Sequence, residues 1–372
     1  MALDGIVISS LVKEFNETLT GGKIAKIAQP ENDELLLTIK NFRTQYRLLI
    51  SAGASLPLIY LTGDNKPSPM TAPNFCMLLR KHIANGKILR IWQPGLERII
   101  HFEIEHLNEL GDLCHKVLTV EIMGKHSNII FCDDGNRIID SIKHVGAQMS
   151  SVREVLPGRE YFIPHTQDKE DPLNITEERF RETVLSKPLP LSKALYMTLT
   201  GISPLIAEEI CHRASLESDQ SANSFSDTEA THLYHTLARL MEDVKNGNFT
   251  PSVVYDGREP LEFSSVLLTL YHDKRTETFD SISVVLENYY AMKNTITRIR
   301  QRSSDLRRIV NTALERNRKK YELQLRQLKD TEKREKFRVY GELINTYGYG
   351  LEPGAQKLEA LNSYTNEMVT IP

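Results

Sequence analysis

Two spacings of apolar residues alternate along the first 165 positions of the chain. A 3.6-residue period runs from Ile6 to Leu19, where Gly21-Gly22 follows as a helix stop signal, and again from Asn74 to Ala84. A period of two predicts nine strands: Lys23–Gln29, Glu34–Lys40, Tyr46–Ser51, Leu58–Leu61, Ile88–Gln93, Arg98–Glu105, Lys116–Glu121, Ser127–Cys132 and Arg137–Lys143. Many strands with two helices indicate an α+β fold whose first domain, residues 1–170, contains a sandwich-like sheet.

The pattern turns polar around residues 164–172, which predicts a domain boundary. Residues 171–280 are expected to form a helical domain with returning strands. Its helices are predicted at Thr176–Leu185, Leu191–Leu199, Ser203–His212 and Asp227–Asn246, and its strands at Ser252–Tyr255, Ser265–Tyr271 and Ser281–Val285. Between the second and third helices, Thr200-Gly-Ile-Ser-Pro204 resembles the hairpin of helix–hairpin–helix modules. Gly201 and Ser203 there can contact a phosphate, or Ser203 can simply cap the next helix.

Residues 281–372 carry the heptad spacing of a coiled coil. The seam residues step by four and three alternately: Met292, Ile296, Ile299, Ser303, Leu306, Val310 and Ala313. A single helix cannot bury such a seam, and the helical pattern fades at residues 346–350 without a second basic arm. We therefore expect the first arm of a protruding coiled coil and its tip, cut off before a returning arm.

Charge is distributed unevenly along the chain. The net charge is only −3, but residues 293–340 contain sixteen Lys/Arg against six Asp/Glu, a local balance of +10, so the remainder carries −13. Such asymmetry indicates contact with phosphate, although a solvated coiled-coil surface has the same composition. If the segment contacts the phosphates of a nucleic acid, the contacts are expected from Arg298, Arg302, Arg307, Arg308, Arg316, Lys319 and Lys320.

The remaining bulk features narrow the class of protein. No apolar stretch approaches the length of a membrane span, and the N-terminus lacks the pattern of a secretory signal. The four cysteines are widely spaced, which favours reduced thiols over a zinc site. We therefore expect a cytoplasmic protein with no membrane contact, no metal and no cofactor.

Three segments resemble the NFACT family. They are the opening residues 1–7 with residues 21–24 and 29–30, the stretch 95–112, and Glu121-Ile-Met-Gly-Lys-His-Ser-Asn-Ile-Ile130. The order of an N-terminal domain, a helix–hairpin–helix region and a long coiled coil also matches, over essentially all 372 residues. The resemblance implies an N-terminal domain similar to that of formamidopyrimidine-DNA glycosylases.

The resemblance further implies a ribosome-associated quality-control factor rather than an enzyme. Such a factor binds large ribosomal subunits that hold a stalled nascent chain and recruits tRNA, with alanyl-tRNA expected, for message-independent tailing. The resemblance thus implies that the seven basic coil residues named above, Arg298 to Lys320, contact ribosomal RNA. The family pair needed for tRNA recognition matches Glu97-Arg98, with Glu in place of the usual Asp, and Asp4 matches an acidic family position. The predicted tRNA-binding residues are Asp4, Glu97, Arg98, Glu121, Ile122, Met123, Lys125 and His126.

Simpler interpretations exist for the same residues. Arg98 can form an ordinary surface ion pair, and the Gly124–Asn128 stretch can be a β-turn in which His126 and Asn128 satisfy backbone groups. Two other functions also compete with tRNA recruitment. One is an adhesin that binds fibronectin, as an older family name suggests, and the other is a glycosylase-like nucleic-acid-processing enzyme. Met1-Ala2 argues against the enzyme, because the glycosylases use an N-terminal proline amine and an adjacent glutamate.

Overall fold

The structure is a computed structural model that describes residues 3–164 and 168–372, with the backbone alone for residues 293–305. Met1, Ala2 and residues 165–167 lie outside the described residues, so the argument from Met1-Ala2 is not tested and part of the predicted boundary near 170 is not seen. The chain forms two compact units, residues 1–294 and 295–372. The predicted division into three domains stays a prediction.

The first unit is built on one antiparallel sheet of nine strands in the order β4-β3-β2-β1-β5-β6-β7-β8-β9. The strands are β1 (Lys23–Glu31), β2 (Glu34–Asn41), β3 (Thr44–Ser51), β4 (Leu58–Leu61), β5 (Lys87–Trp92), β6 (Ile99–Leu107), β7 (Leu113–Glu121), β8 (Asn128–Asp133) and β9 (Ile138–Ser141). All nine correspond to strands predicted from the period-two pattern. The prediction of an α+β fold with a large sheet is confirmed.

The sheet consists of two halves that share one core. Only the pair Lys23↔Lys87 joins β1 to β5, so the halves β1–β4 and β5–β9 meet along a short seam. Helix α1 (Gly5–Thr18) and helix α2 (Asn74–Ile83) place buried Leu11, Phe15 and Leu79 into the core that both halves line. One face of each half is buried in this core, and β2 is buried on both faces, because Leu36 packs with Ala28 and Leu49 on the other side of the sheet. The likeness to the glycosylase domain stays a prediction.

A helical region with its own apolar core follows the sheet. It contains α3 (Glu177–Phe180, continued as a π-helix over Arg181–Leu185), α4 (Leu191–Thr198), α5 (Pro204–Arg213) and α6 (Asp227–Asn246), and the strands β10 (Ser252–Asp256), β11 (Glu259–Ser264) and β12 (Arg275–Thr278). The four predicted helices are confirmed. Ser203 caps α5, accepting a hydrogen bond from the Ile206 amide at 3.3 Å, with Pro204 at the first helical position.

Two of the predicted strands are wrong. The run Ser265–Tyr271 forms a loop and a short 3-10 turn at Thr269–Tyr271, and the strands beside β10 are β11 and β12. The stretch Ser281–Val285 instead opens helix α7 (Ile282–Tyr347), where Ser281 accepts a hydrogen bond from the Val284 amide at 3.2 Å. Both errors arise because these apolar runs are too short for their spacing to distinguish a strand from a helix or a loop.

The second unit, residues 295–372, contains the C-terminal part of α7 and the hairpin of β13 (Leu358–Asn362) and β14 (Glu367–Ile371). Leu343 of the helix is buried against Leu358, Ala360 and Ile371 of the hairpin. The sequence prediction of a coil tip overlooked this hairpin.

The coiled-coil seam is partly described. Leu306 and Val310 are more than half exposed, and Ala313 is also exposed, so these side chains cover no core in this chain. The side chains of Ile296, Ile299 and Ser303 lie outside the described residues. The coiled-coil pairing of α7 therefore stays a prediction.

Candidate functional site

A cavity of about 710 Å³ opens at one end of the nine-stranded sheet. Its position follows from strand register, because β6 begins and β7 ends at the paired residues Ile99 and Glu121, and Glu121 pairs with Asn128 at the start of β8. The loops before β6, between β7 and β8, and after β9 therefore meet at the same edge. Residues that line the cavity include Glu97, Arg98, Met123, Lys125, His126, Lys143, His144, Arg153, Lys169, Thr200 and Gly201.

The cavity wall is basic. Five Lys/Arg side chains and two histidines line it, against one lining carboxylate, Glu97. Two of these groups have carboxylate partners behind the wall, Arg153 with Glu121 and His144 with Asp140. Because like charges gathered around one concave surface raise its positive potential, the cavity attracts anionic ligands. Apolar side chains also contribute, notably Met149 and Val152, both exposed. The wall therefore suits a ligand that combines phosphate with an apolar or aromatic part.

The sequence-predicted residues Glu97 and Arg98 lie together at this wall. Burial lowers the pKa of the Arg98 guanidinium below its ordinary value, while the carboxylates of Glu97 and Asp4 act in the opposite direction. The backbone beside it is fixed, because the Ile122 amide donates to the Arg98 carbonyl at 2.9 Å and the Gln93 side-chain amide donates to the Glu97 carbonyl at 2.8 Å. Arg98 is thus a half-buried cation held on a rigid loop.

The β7–β8 loop presents two exposed side chains to the cavity. Ser127 accepts a hydrogen bond from the Met123 amide at 2.8 Å, and Asn128 donates to the Lys143 carbonyl at 2.9 Å. Because these internal bonds occupy the buried Ser127 and Asn128, the turn has a fixed shape and leaves Lys125 and His126 exposed. Asn128 therefore satisfies backbone groups within the turn, as the simpler interpretation expected. Lys125 and His126 remain accessible to a ligand.

Glu121 and Ile122 lie beneath the cavity and not on its surface. Glu121 is 0% exposed and Ile122 is 2% exposed. The Glu121 carboxylate forms an ion pair with Arg153 and accepts a hydrogen bond from the Tyr161 hydroxyl at 2.9 Å. Direct contact of these two side chains with tRNA, as the sequence analysis expected, conflicts with their complete burial. Glu121 instead holds Arg153 at the cavity wall.

Asp4 is likewise a structural residue in this fold. It caps α1 by accepting hydrogen bonds from the Ile6 and Val7 amides at 3.1 and 2.9 Å, and the Ser203 hydroxyl donates to its second oxygen at 2.8 Å. Burial raises the pKa of Asp4, and these hydrogen bonds counteract that shift. Since Asp4 and Ser203 are 7% and 9% exposed, both serve to join α1 to the α4–α5 hairpin.

A glycine contact completes this junction. The Gly5 amide donates to the Gly201 carbonyl at 2.9 Å, and a Cβ atom on Gly5 would lie 2.2 Å from the Leu96 carbonyl oxygen. Gly201 has a φ of +75° and lines the cavity, so its predicted place in a tight hairpin is as expected. Close packing here ties the helical region to the Glu97–Arg98 loop.

Sequence reasoning missed four cationic or ionisable residues of the cavity: Lys143, His144, Arg153 and Lys169. Burial lowers the pKa of Lys169, and the nearby charge of Arg98 lowers it further. These residues are 45 to 71 positions away from Arg98 in the sequence and carry no motif of their own. The only available signal was that the loop after the last predicted strand must return to the same sheet edge.

The predicted rRNA-binding cations belong to α7. Arg307, Arg308, Arg316, Lys319 and Lys320 are all exposed. The side chains of Arg298 and Arg302 lie outside the described residues. Exposure on a long helix is compatible both with RNA contact and with a solvated coiled-coil surface.

Within residues 3–164 and 168–372, no three His, Cys, Asp or Glu side chains are grouped so that they could hold a metal ion. The helices in that part include none that is both long and apolar enough to cross a membrane. Cys76, Cys114, Cys132 and Cys211 are all free thiols.

Comparison with known proteins gives consistent matches over the whole chain. A family profile described as NFACT N-terminal and middle domains matches residues 4–372. The chain is 37% identical over 374 residues to "Rqc2 homolog RqcH" of Bacillus subtilis (strain 168), covering 100% of this chain and 63% of that protein. The chain thus spans less than two thirds of this curated relative. A match of 28% identity covers 92% of this chain and 50% of "Archaeal Rqc2 homolog aRqcH" from Methanocaldococcus jannaschii.

Among solved structures, the fold is similar to the crystal structure of the fibrinogen-binding protein from Staphylococcus aureus. That match has a TM-score of 0.65 and 30% identity, and it covers 78% of this chain and 99% of the other.

Proposed function

Because the chain belongs to the NFACT family, we propose that it is part of a ribosome quality-control factor that binds tRNA in the cavity at the sheet edge. The observation that supports this proposal most strongly is the concentration of cations there. Arg98, Lys125, Lys143 and Lys169 share one concave wall with a single lining carboxylate, and Arg153 beside them is ion-paired with buried Glu121. Phosphate-bearing ligands are the natural complement of such a wall.

The size and the apolar part of the cavity favour an unpaired nucleotide over a smooth duplex. Its volume of about 710 Å³ can enclose a base with its sugar. Proteins read RNA sequence mainly through unpaired bases, which stack on aromatic or guanidinium planes and offer their edges to hydrogen bonds. A tRNA supplies such bases in its loops and at its acceptor end.

Within the cavity we assign complementary roles to the neighbouring pair. Arg98 stacks on or hydrogen-bonds to a base, since its planar guanidinium suits both contacts. Glu97 accepts hydrogen bonds from exocyclic base amines, a contact that would fix base preference. Lys125 and His126 contact the flanking phosphates, and Gly201 allows close approach of the backbone. Asp4, Glu121, Ile122 and Ser203 support this wall from below.

The remaining parts of the proposal concern the ribosome. The exposed cations of α7 lie along ribosomal RNA of the large subunit, and tRNA delivery there, with alanyl-tRNA expected, extends a stalled nascent chain without a message. Peptide-bond formation then belongs to the ribosome, so the factor is not an enzyme and acts in the cytoplasm. Relatives named "Rqc2 homolog RqcH" and "Ribosome quality control complex subunit NEMF" support this assignment.

The test is direct binding of total tRNA from the source cells to the 372-residue chain. The variants are Arg98→Ala and Lys125→Glu, and the control is Arg239→Glu, an exposed cation on α6 outside the cavity. We expect each cavity variant to weaken binding on the order of tenfold at unchanged thermal stability, and the control to bind like the wild type. Equal tRNA affinity in all four proteins would contradict the proposal.

Adhesion is the alternative function with support from the comparisons. The similar Staphylococcus aureus structure is named as a fibrinogen-binding protein, and a Streptococcus suis structure of TM-score 0.64 as a fibronectin/fibrinogen-binding protein. The same variants distinguish the two functions. Binding to immobilised fibronectin that exceeds binding to tRNA would favour the adhesin.

A further inference from the structure

The half-sheet β1–β4 has a second basic surface, separate from the cavity residues. Strand register assigns six polar residues to the face opposite the core: Lys23, Lys26, Thr38, Lys40, Gln45 and Arg47, here called the basic face. A register shift between Ile24 and Lys26 brings Lys23 and Lys26 onto the same side, while Ile24 and Ile27 point into the core. A concavity of about 280 Å³ lies on this face.

The charges of the basic face are not balanced locally. Lys23 stands directly opposite both Lys40 and Lys87, and such like-charge pairs across strands are destabilising. In the described part of the chain, Lys26 and Lys40 form no ion pair, and no carboxylate lines the concavity. Arg47 donates to the Gly63 carbonyl at 3.0 Å, which fixes one edge of its guanidinium. A surface that accumulates unneutralised cations at a cost in stability fits an anionic ligand.

An exposed aromatic ring borders this face. Phe42 is 100% exposed at the tip of the β2–β3 hairpin, between Asn41 and Arg43. Its φ is +53°, a left-handed conformation that bulky residues rarely adopt and that Gly or Asn would accept without strain. A ring that gains nothing from burial and strains its own backbone is not explained by folding. A residue whose backbone strain is not offset by packing or hydrogen bonding is a candidate binding position.

We propose that the basic face and Phe42 form a binding surface for a single-stranded RNA segment, with phosphates on Lys26, Lys40 and Lys23 and an unstacked base on Phe42. Proteins that bind unpaired nucleic acid combine a basic track for the backbone with aromatic side chains for the bases. An acidic protein segment would use the cations but leaves the ring without a role. This surface goes beyond the tRNA cavity and does not depend on it.

The probe is a labelled oligouridylate of about 12 nucleotides, long enough to span one such surface and without stable base pairing. Phe42→Gly removes the ring and relieves the backbone at a positive φ, so we expect it to fold like the wild type. Phe42→Leu keeps the strain and the apolar bulk, and Phe42→Tyr keeps the ring. We expect Phe42→Gly and Phe42→Leu to weaken oligouridylate binding on the order of tenfold and Phe42→Tyr to retain it.

The role of the cations is tested with Lys26→Glu/Lys40→Glu. The control is Lys193→Glu/Arg239→Glu, which changes the net charge equally at exposed positions elsewhere. Replacing two phosphate contacts is expected to reduce the slope of log affinity against log salt by about 1.4, since each contact to a single strand contributes about 0.7. The control pair is expected to leave the slope unchanged. Oligouridylate that contains 4-thiouridine is expected to crosslink to the peptide that carries Phe42, which separates this surface from the cavity.

Three results would overturn the proposal. One is equal affinity of the wild type, Phe42→Gly and Lys26→Glu/Lys40→Glu for oligouridylate. Another is crosslinking confined to the cavity loops around Arg98 and Lys125. The third concerns polyglutamate. If polyglutamate binds tightly to the wild type but not to Lys26→Glu/Lys40→Glu, and displaces no bound oligouridylate, the basic face is a protein-docking surface.

Discussion

The buried ion pair of Glu121 with Arg153 connects the stability of the first unit to the shape of the cavity. The two side chains are 0% and 10% exposed, and the Tyr161 hydroxyl donates to the same carboxylate. Burial raises the pKa of Tyr161, and the neighbouring charge of Glu121 raises it further. A carboxylate enclosed in this way is costly to remove, because its partner cation then remains buried and uncompensated.

Glu121→Gln is therefore expected to lower the free energy of unfolding by about 3 kcal/mol, measured by urea denaturation. Glu121→Leu/Arg153→Met is expected to regain part of this loss, because it removes both charges. The matched surface pair Lys81–Glu109 has side chains 63% and 80% exposed, so Glu109→Gln should leave stability unchanged. Equal changes in the free energy of unfolding for Glu121→Gln and Glu109→Gln would show that the buried ion pair stabilises the fold no more than the exposed one.

His101 provides a pH-dependent part of the stability. It is 8% exposed, its Nδ1 lies 2.8 Å from the Thr119 hydroxyl, and burial together with the charge of Arg90 lowers its pKa to about 4. The unfolded chain therefore binds a proton near pH 6.5 that the folded chain does not bind until about pH 4. The stabilisation is complete above the unfolded value and is lost as the pH falls through this window.

Between pH 7 and pH 4 this group alone is expected to remove about 3 kcal/mol of stability. Urea denaturation of the wild type and of His101→Phe over that range measures the difference, since other titrating groups contribute equally to both proteins. The wild-type curve should fall more steeply. Parallel curves would mean that His101 is protonated at its ordinary pH in the folded protein.

The sequence located part of the candidate site at the level of single residues. Glu97, Arg98, Lys125 and His126 were identified through the family resemblance and do line one cavity. The sequence does not show which side chains of this segment point into the core. Buried Glu121 and Ile122 were therefore predicted to bind tRNA together with exposed Lys125. Lys143 was missed because its proximity to Arg98 depends on the register of four strands, and Lys169 because its position depends on α4, where the Tyr196 carbonyl accepts a hydrogen bond from it.

At the scale of elements, the junction between α1, the Glu97–Arg98 loop and the α4–α5 hairpin depends on two glycines. Gly5→Ala places a methyl group 2.2 Å from the Leu96 carbonyl oxygen and 2.7 Å from the Gly201 Cα, both rigid backbone atoms. We expect a loss of at least about 2 kcal/mol in the free energy of unfolding, measured by urea denaturation. Gly63→Ala is the control, because no heavy atom lies within 4 Å of its added Cβ. Equal stability of the two variants would contradict the close packing.

Prediction of elements succeeded where one face of a strand or helix is buried. The period of α1 and α6 follows directly from such burial, whereas β2 has six consecutive buried residues because both of its faces are covered. It failed for β11, which was not predicted, for β12, whose burial pattern contains no buried residue, and for the β13–β14 hairpin, which covers only a small core around Leu343. In these cases tertiary contacts select a strand that local composition does not encode.

At the scale of the whole molecule, charge separates two tasks. The cavity of the first unit is proposed for tRNA, and the exposed cations of α7 for large-subunit RNA. The residues outside 293–340 carry a net negative charge, so the chain as a whole does not attract nucleic acid. Binding is instead expected only at these local basic surfaces. Variants of each surface should therefore affect one RNA and spare the other.

The most direct measurement is to purify the natural protein that carries this chain from its own cells and sequence the RNA bound to it. Wild type, Arg98→Ala and Arg316→Glu/Lys319→Glu/Lys320→Glu are compared. We expect one enriched tRNA species together with large-subunit rRNA for the wild type, loss of the tRNA alone for Arg98→Ala, and loss of the rRNA for the triple variant. Large-subunit rRNA without tRNA in the wild type, or tRNA unchanged in Arg98→Ala, would contradict tRNA recruitment through the cavity.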